Sequence, residues 1–137
     1  MTDTEKMNQL LAKEEIRDLV ARYCHAIAAG DLDSLMNLFA DNAYINVTLG
    51  DKDDRFGKVE GKEAMRDFYK DMVALAPKPF IHNHLVSIDG DRAEGKCSVE
   101  IRGVPKQMVQ ENGGYYEDRY IHDGESWKFE NRTFFAY

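Results

Sequence analysis

The stretch EEIRDLVARYCHAIAAGDLDSLMNLFADNAYI, residues 14–45, decides the fold. Ile16, Leu19, Val20, Tyr23, Cys24 and Ile27 recur at spacings of three and four, the period of a helix with one apolar face. Glu14, Arg17, Asp18 and Arg22 take the other side. Leu11 extends the stripe backwards, so the spacing predicts a helix over 5–29. Gly30 follows the last periodic residue and supplies a helix stop. Asp31 then caps a second, shorter helix carrying Leu32, Leu35, Met36, Leu38 and Phe39. Asp41-Asn42 is a turn signal, and the alternating run 43–49 reads as a strand.

Downstream, residues 50–61 are charged and glycine-rich, which predicts a loop with a short strand at Lys58-Val59. A third helix is expected over 62–75, with Met65, Phe68, Tyr69, Met72 and Val73 on one face and Pro77 and Pro79 ending it. The rest reads as a meander of strands over 80–88, 92–104, 114–122 and 126–135. Asp89-Gly90-Asp91, a loop over 105–113 and the hairpin signal Asp123-Gly124 join them. Helices first and strands last imply an α+β fold, with the helices covering one face of a curved sheet.

The bulk properties narrow the partners. A chain of 137 residues, 43% hydrophobic, suits one domain over 1–137 with a real core. Eighteen basic and 25 acidic residues give a net charge of −7 with no basic stripe, which argues against a nucleic-acid partner. Cys24 and Cys97 are too few to staple a small secreted domain and read as buried hydrophobes. Residues 1–13 hold no apolar signal core, and no run of about 18 apolar residues is available to span a membrane. The expectation is a cytoplasmic protein with no membrane partner.

Four segments in order carry a resemblance: residues 14–45 above, VEGKEAMRDFY (59–69), SIDGDRAEG (87–95) and GYYEDRYIHDGESWKFENR (114–132). Together they are similar to the SnoaL-like branch of the NTF2-like superfamily. The resemblance implies a cone-shaped, strongly curved mixed sheet with three N-terminal helices over its concave face, the cystatin-like roll. It also implies an apolar cavity and a homodimer formed through the convex face. The superfamily includes scytalone dehydratase, bile-acid dehydratase, limonene epoxide hydrolase, steroid isomerase and polyketide cyclases. The expected ligand is therefore a small hydrophobic cyclic molecule. Turnover, if present, is lyase or isomerase chemistry by cofactor-free proton transfer. The alternative is a non-catalytic ligand-binding or dimeric scaffold protein.

Tyr23 lies one turn from Leu19 and Ile27, on the core side, and matches a working tyrosine of bile-acid dehydratase-like members. It is read as a donor to a substrate oxygen or as a core tyrosine tied to a carbonyl. His82 and His84 alternate with Phe80, Val86 and Ile88 on the inward face of a regular strand, where an imidazole can act as a base. Counted back from the Asp89-Gly90 turn, the dehydratase histidine falls near Pro79, so a bulge is needed to bring either into that role. Asn83 matches a frequent asparagine of the family and points the opposite way. His-x-His can chelate a metal with a third ligand such as Glu100, but a metal-free pocket is the preferred reading. His25 and His122 read as flanking and surface residues.

The Tyr-Asp pair of scytalone dehydratase-like members falls at Ile27 and Ala28 and the acid of the bile-acid dehydratases at Ile101, so no carboxylate partner is visible. Asp118, on one face with Tyr116 and Tyr120, can replace it or pair with Arg132, the reading preferred here. Tyr44 and Asn46 are expected to rim the cavity with Thr48, and Trp127 and Phe129 to lie in the core under the first helix.

Overall fold

The structure is a computed structural model and describes residues 1–48, 56–103 and 113–137. Its elements are α1 (Asp3–Ala29), α2 (Leu32–Met36), β1 (Phe39–Thr48), β2 (Phe56–Glu60), α3 (Lys62–Val73), β3 (Lys78–Asp89), β4 (Arg92–Arg102), β5 (Gly113–His122) and β6 (Trp127–Ala136). Helix α1 starts two residues earlier than the expected 5–29. There Thr2 accepts from the Glu5 amide and the Glu5 carboxylate accepts from the Thr2 amide, a capping box. It stops at Gly30, whose φ of 69° is the left-handed cap that glycine adopts freely.

The six strands form one curved, unclosed sheet in the order β2-β1-β6-β5-β4-β3. All neighbours are antiparallel except β1 and β6. Helix α1 crosses β3 and touches β6, α3 lies on β1 and β2, and α2 sits between the two helices. The core fills the space under them. Ile16, Leu19, Val20, Tyr23 and Ile27 of α1 meet Phe39, Ile45, Met65, Tyr69, Tyr120 and Phe129. Trp127 and Phe129 are buried there, as their spacing predicts. Both cysteines are free thiols. No described helix is long and apolar enough to cross a membrane.

The main departures from the sequence reading are bulges. Strand β1 begins at Phe39, not at 43. Asp41 and Asn42, read as a turn, sit exposed within a register shift against β6 between Phe39 and Tyr44. In β3 the partner of His82 is Ser98 and that of Leu85 is Lys96, so Asn83 and His84 together oppose Cys97. In β6 the shift falls at Glu130, because Arg119 pairs with Asn131 and Tyr120 with Phe129. The β3 and β6 bulges each add one residue, which reverses the face that the following side chains occupy. The last residue of the strand expected over 43–49, the first half of the loop expected over 50–61, the end of the strand expected over 92–104 and nearly all of the loop expected over 105–113 lie outside the described residues.

Candidate functional site

Tyr23 projects from α1 into the core, where its hydroxyl meets that of Tyr69 on α3 at 3.0 Å. Its ring stands edge-on to Phe39, Tyr69, Tyr116 and Phe129. Tyr23 and Tyr69 also border a cavity of about 140 Å³. Its wall is almost wholly apolar: Tyr23, Tyr69, Tyr116 and Arg132 border it together with Ile45, Val47, Phe68, Met72, Ile101 and Phe134. Burial raises all three phenols above their ordinary value, each reinforced by a neighbouring phenol. At neutral pH they are therefore proton donors and never phenolates.

Arg132 is 2% exposed, a buried charge that cannot shed its proton. The β6 bulge turns it inward. Its guanidinium lies 3.5 Å from the centre of the Tyr116 ring, 4.2 Å from that of Tyr23 and 4.8 Å from that of Phe129. Desolvated cation–π contacts of this kind contribute about 2 kcal/mol. Its Nε faces Asp118 Oδ1 at 3.1 Å, the pairing preferred from sequence. Burial pulls the guanidinium pKa down, but Asp118 and the phenols outweigh that and hold it well above its usual value. Nη2 donates weakly to Cys97 Sγ at 3.7 Å, and Nη1 has no hydrogen-bond partner among the described residues. A buried N–H left in that state costs about 1–3 kcal/mol.

Asp118 divides its two oxygens. Oδ1 faces Arg132, and Oδ2 accepts from the Tyr120 hydroxyl at 2.8 Å. Burial raises the carboxyl to about 6 against the pull of Arg132 and Tyr120, so it is ionised at pH 7. The Tyr120 oxygen lies 3.2 Å from Nε2 of His84. Since Tyr120 gives its proton to Asp118, it receives one from His84, which places the imidazole proton on Nε2. Burial, with Arg132 and Arg17 nearby, lowers His84 to about 4, so the ring is neutral. Gly95 makes room for this chain. A Cβ there would stand 2.7 Å from the Tyr120 hydroxyl and 2.8 Å from its ring.

The sequence-predicted residues thus separate. Tyr23 and Tyr116 wall the cavity, and Asn46 borders it while donating to Thr133 at 3.2 Å. Asp118 and His84 stand behind Arg132 and Tyr120, and neither lines the cavity. The expectation that His82, His84 and Phe80 share one face is corrected by the β3 bulge. His82 and Phe80 are exposed on the outer face, where His82 meets Glu100 at 3.3 Å. Asn83 is exposed at the bulge itself, with φ 56°. Tyr44 borders a larger, open groove of about 560 Å³ on the outer face, among Lys96, Glu117 and Arg119. That groove is charged and open, whereas the smaller cavity is almost wholly apolar, as the body of a ligand site usually is. Facing opposite ways, His82 and His84 cannot chelate one ion. Among the described residues no three His, Cys, Asp or Glu side chains gather as metal ligands.

Sequence reasoning missed Tyr69 and Tyr120. The first sits on the apolar stripe of α3 and reads as core. The second stands two residues after Asp118 on the same face, which was the available signal.

A curved six-stranded sheet capped by three helices, with a small cavity between them, defines an NTF2-like protein of cystatin-like fold. Solved structures share it. An NTF2-like protein with a cystatin-like fold from Novosphingobium aromaticivorans superposes with a TM-score of 0.77 at 19% identity, over 96% of this chain and 85% of that one. Rv3472 from Mycobacterium tuberculosis, a protein of unknown function, does so at 0.79 and 20%, over 98% and 76%. LinA gives 0.79 at 17% identity, over 95% and 88%. No curated protein matches the sequence. The model of the SnoaL-like domain matches residues 8–133, and the chain belongs to that family.

Proposed function

We propose that the protein, taken as one SnoaL-like domain over 1–137, holds a small, single-ring, largely apolar molecule beneath α1. An oxygen of that molecule rests against the Tyr23 and Tyr69 hydroxyls. The observation that carries this reading is an almost wholly apolar cavity of about 140 Å³ bordered by Tyr23 and Tyr69, whose hydroxyls lie 3.0 Å apart. A cavity near that volume takes one six-membered ring. Two phenols kept protonated by burial can donate to one oxygen. Against an apolar wall each such donation is worth more than in solution.

In its catalytic form the reading is cofactor-free isomerisation, dehydration or cyclisation. Tyr23 stabilises the oxyanion as it develops, and neutral His84, held behind Tyr120 and outside the cavity wall, must turn off Tyr120 to move the proton. His82 has no part in it, being on the outer face. The second reading, a non-catalytic holder, is favoured by one feature: the described cavity wall offers proton donors but neither imidazole nor carboxylate.

Calorimetric titration with cyclohexanone tests the shared claim. Tyr23→Phe removes one donor and should weaken binding by about 1 kcal/mol, roughly fivefold. Equal affinity in the two proteins removes Tyr23 from the site. Turnover of a bound ring compound, lost in His84→Gln with affinity retained, separates the enzyme from the holder.

A further inference from the structure

The first turns of α1 carry apolar residues where a surface helix carries polar ones. Between Asp3 and Leu11 no residue is fully buried, and burial on the helix begins at Ile16. Glu5, Asn8, Gln9 and Ala12 border a hollow against Ile88 and Gly90 at the β3–β4 turn. Met7, Leu10 and Leu11 are 65%, 63% and 57% exposed. At about 100° per residue, they centre on the side of the helix opposite Ile16, Leu19, Val20, Tyr23 and Ile27. A helix start with nothing buried is marginal by itself, and apolar side chains at spacings of three and four form a stripe that a second helix can cover.

We propose that this face joins two copies of the chain, the first half of each α1 packing antiparallel on the other about a twofold axis at Leu10. Charge complementarity selects that occupant. Asp3, Lys6, Glu14 and Arg17 line one flank of the patch, all exposed, and none forms an ion pair among the described residues. Asp3 and Arg17 stand equally far from Leu10 in sequence, and so do Lys6 and Glu14. An antiparallel pair therefore sets Asp3 on the partner's Arg17 and Lys6 on the partner's Glu14, each contact made twice by the symmetry. A parallel pair sets like charges together. Each roll lies on the far side of its own α1, so the two do not collide. A lipid surface fits less well, because the flank holds as many acids as bases and the chain carries a net charge of −7. Met7, Leu10 and Leu11 bury well short of the roughly 800 Å² per partner of a standard interface, so the dimer is a weak one.

Sedimentation velocity on the full chain, from micromolar to millimolar at low salt, tests this. The wild type should associate to a dimer in the upper part of that range. Leu10→Lys should weaken association at least tenfold and leave the melting temperature of the dilute monomer unchanged, because Leu10 is exposed. Lys6→Glu sets acid on acid twice and should weaken association about fivefold, and adding Glu14→Lys should restore it. A wild type that stays monomeric throughout overturns the proposal. So does a dimer indifferent to Leu10→Lys, which uses another face, or one that the double variant fails to restore, which is not antiparallel. Binding of the monomer to phosphatidylcholine vesicles through Leu10 puts a lipid surface in the partner's place and overturns it as well.

Discussion

With Oδ1 on Arg132 and Oδ2 on the Tyr120 hydroxyl, Asp118 reaches His84 only through a phenol. Removing this carboxylate leaves a buried, uncompensated guanidinium. Asp118→Ala should therefore cost about 3–5 kcal/mol in urea denaturation. A loss below about 1 kcal/mol would mean that the ring stack alone holds Arg132. His84 sets a pH dependence of its own. Its folded pKa is depressed from 6.5 to about 4, so on acidification the unfolded chain takes up the proton first. The stability that neutral His84 contributes is whole above 6.5 and is lost as pH falls to about 4. Asp118, raised from 3.8 to about 6, runs the other way, its ionisation weakening the folded state as pH climbs through that window. Both effects act in the wild type and only the second in His84→Gln. The urea midpoints of the two proteins should draw together between pH 7 and pH 4.5. A gap that does not change with pH contradicts a buried neutral imidazole.

At the scale of elements, the bulges decide which residues the site receives. Alternation from Val86 and Ile88 puts His84 inward together with His82 and Phe80. The Asn83 bulge keeps the first and expels the other two. Alternation from Trp127 and Phe129 turns Arg132 outward, and the bulge at Glu130 turns it in. Periodicity cannot register an extra residue, because the hydrophobic pattern on either side of it stays intact. That is why the helices, the strand order along the chain and the Asp118–Arg132 pair were legible, while the faces of His82 and Phe80 were not. The hydroxyl contact of Tyr23 with Tyr69 was hidden for another reason. It joins residues 46 apart in sequence, on two helices whose stripes both read as plain core. The β3 bulge itself can be tested at Asn83, whose φ of 56° favours Gly or Asn. Asn83→Gly should leave stability within about 0.5 kcal/mol, and Asn83→Val should lose about 1–2 kcal/mol. Thermal melts that rank the two variants the other way contradict the left-handed bulge.

For the whole molecule, the roll separates two surfaces of different character. The outer face carries open, charged ground around Lys96, Glu117 and Arg119, with Leu85 73% exposed on the same strand face as His82. The inner face meets three helices and leaves a small void lined from α1, α3, β1, β4, β5 and β6. The account stands or falls on whether a ring enters that void. Carbon-13 methyl spectra recorded during a titration with cyclohexanone report this directly. The account predicts saturable shifts at Ile45, Val47, Met72 and Ile101, with the Leu85 methyls unmoved. Shifts at Leu85 with the four inner residues silent would place the ligand on the outer groove and contradict the cavity as the functional site.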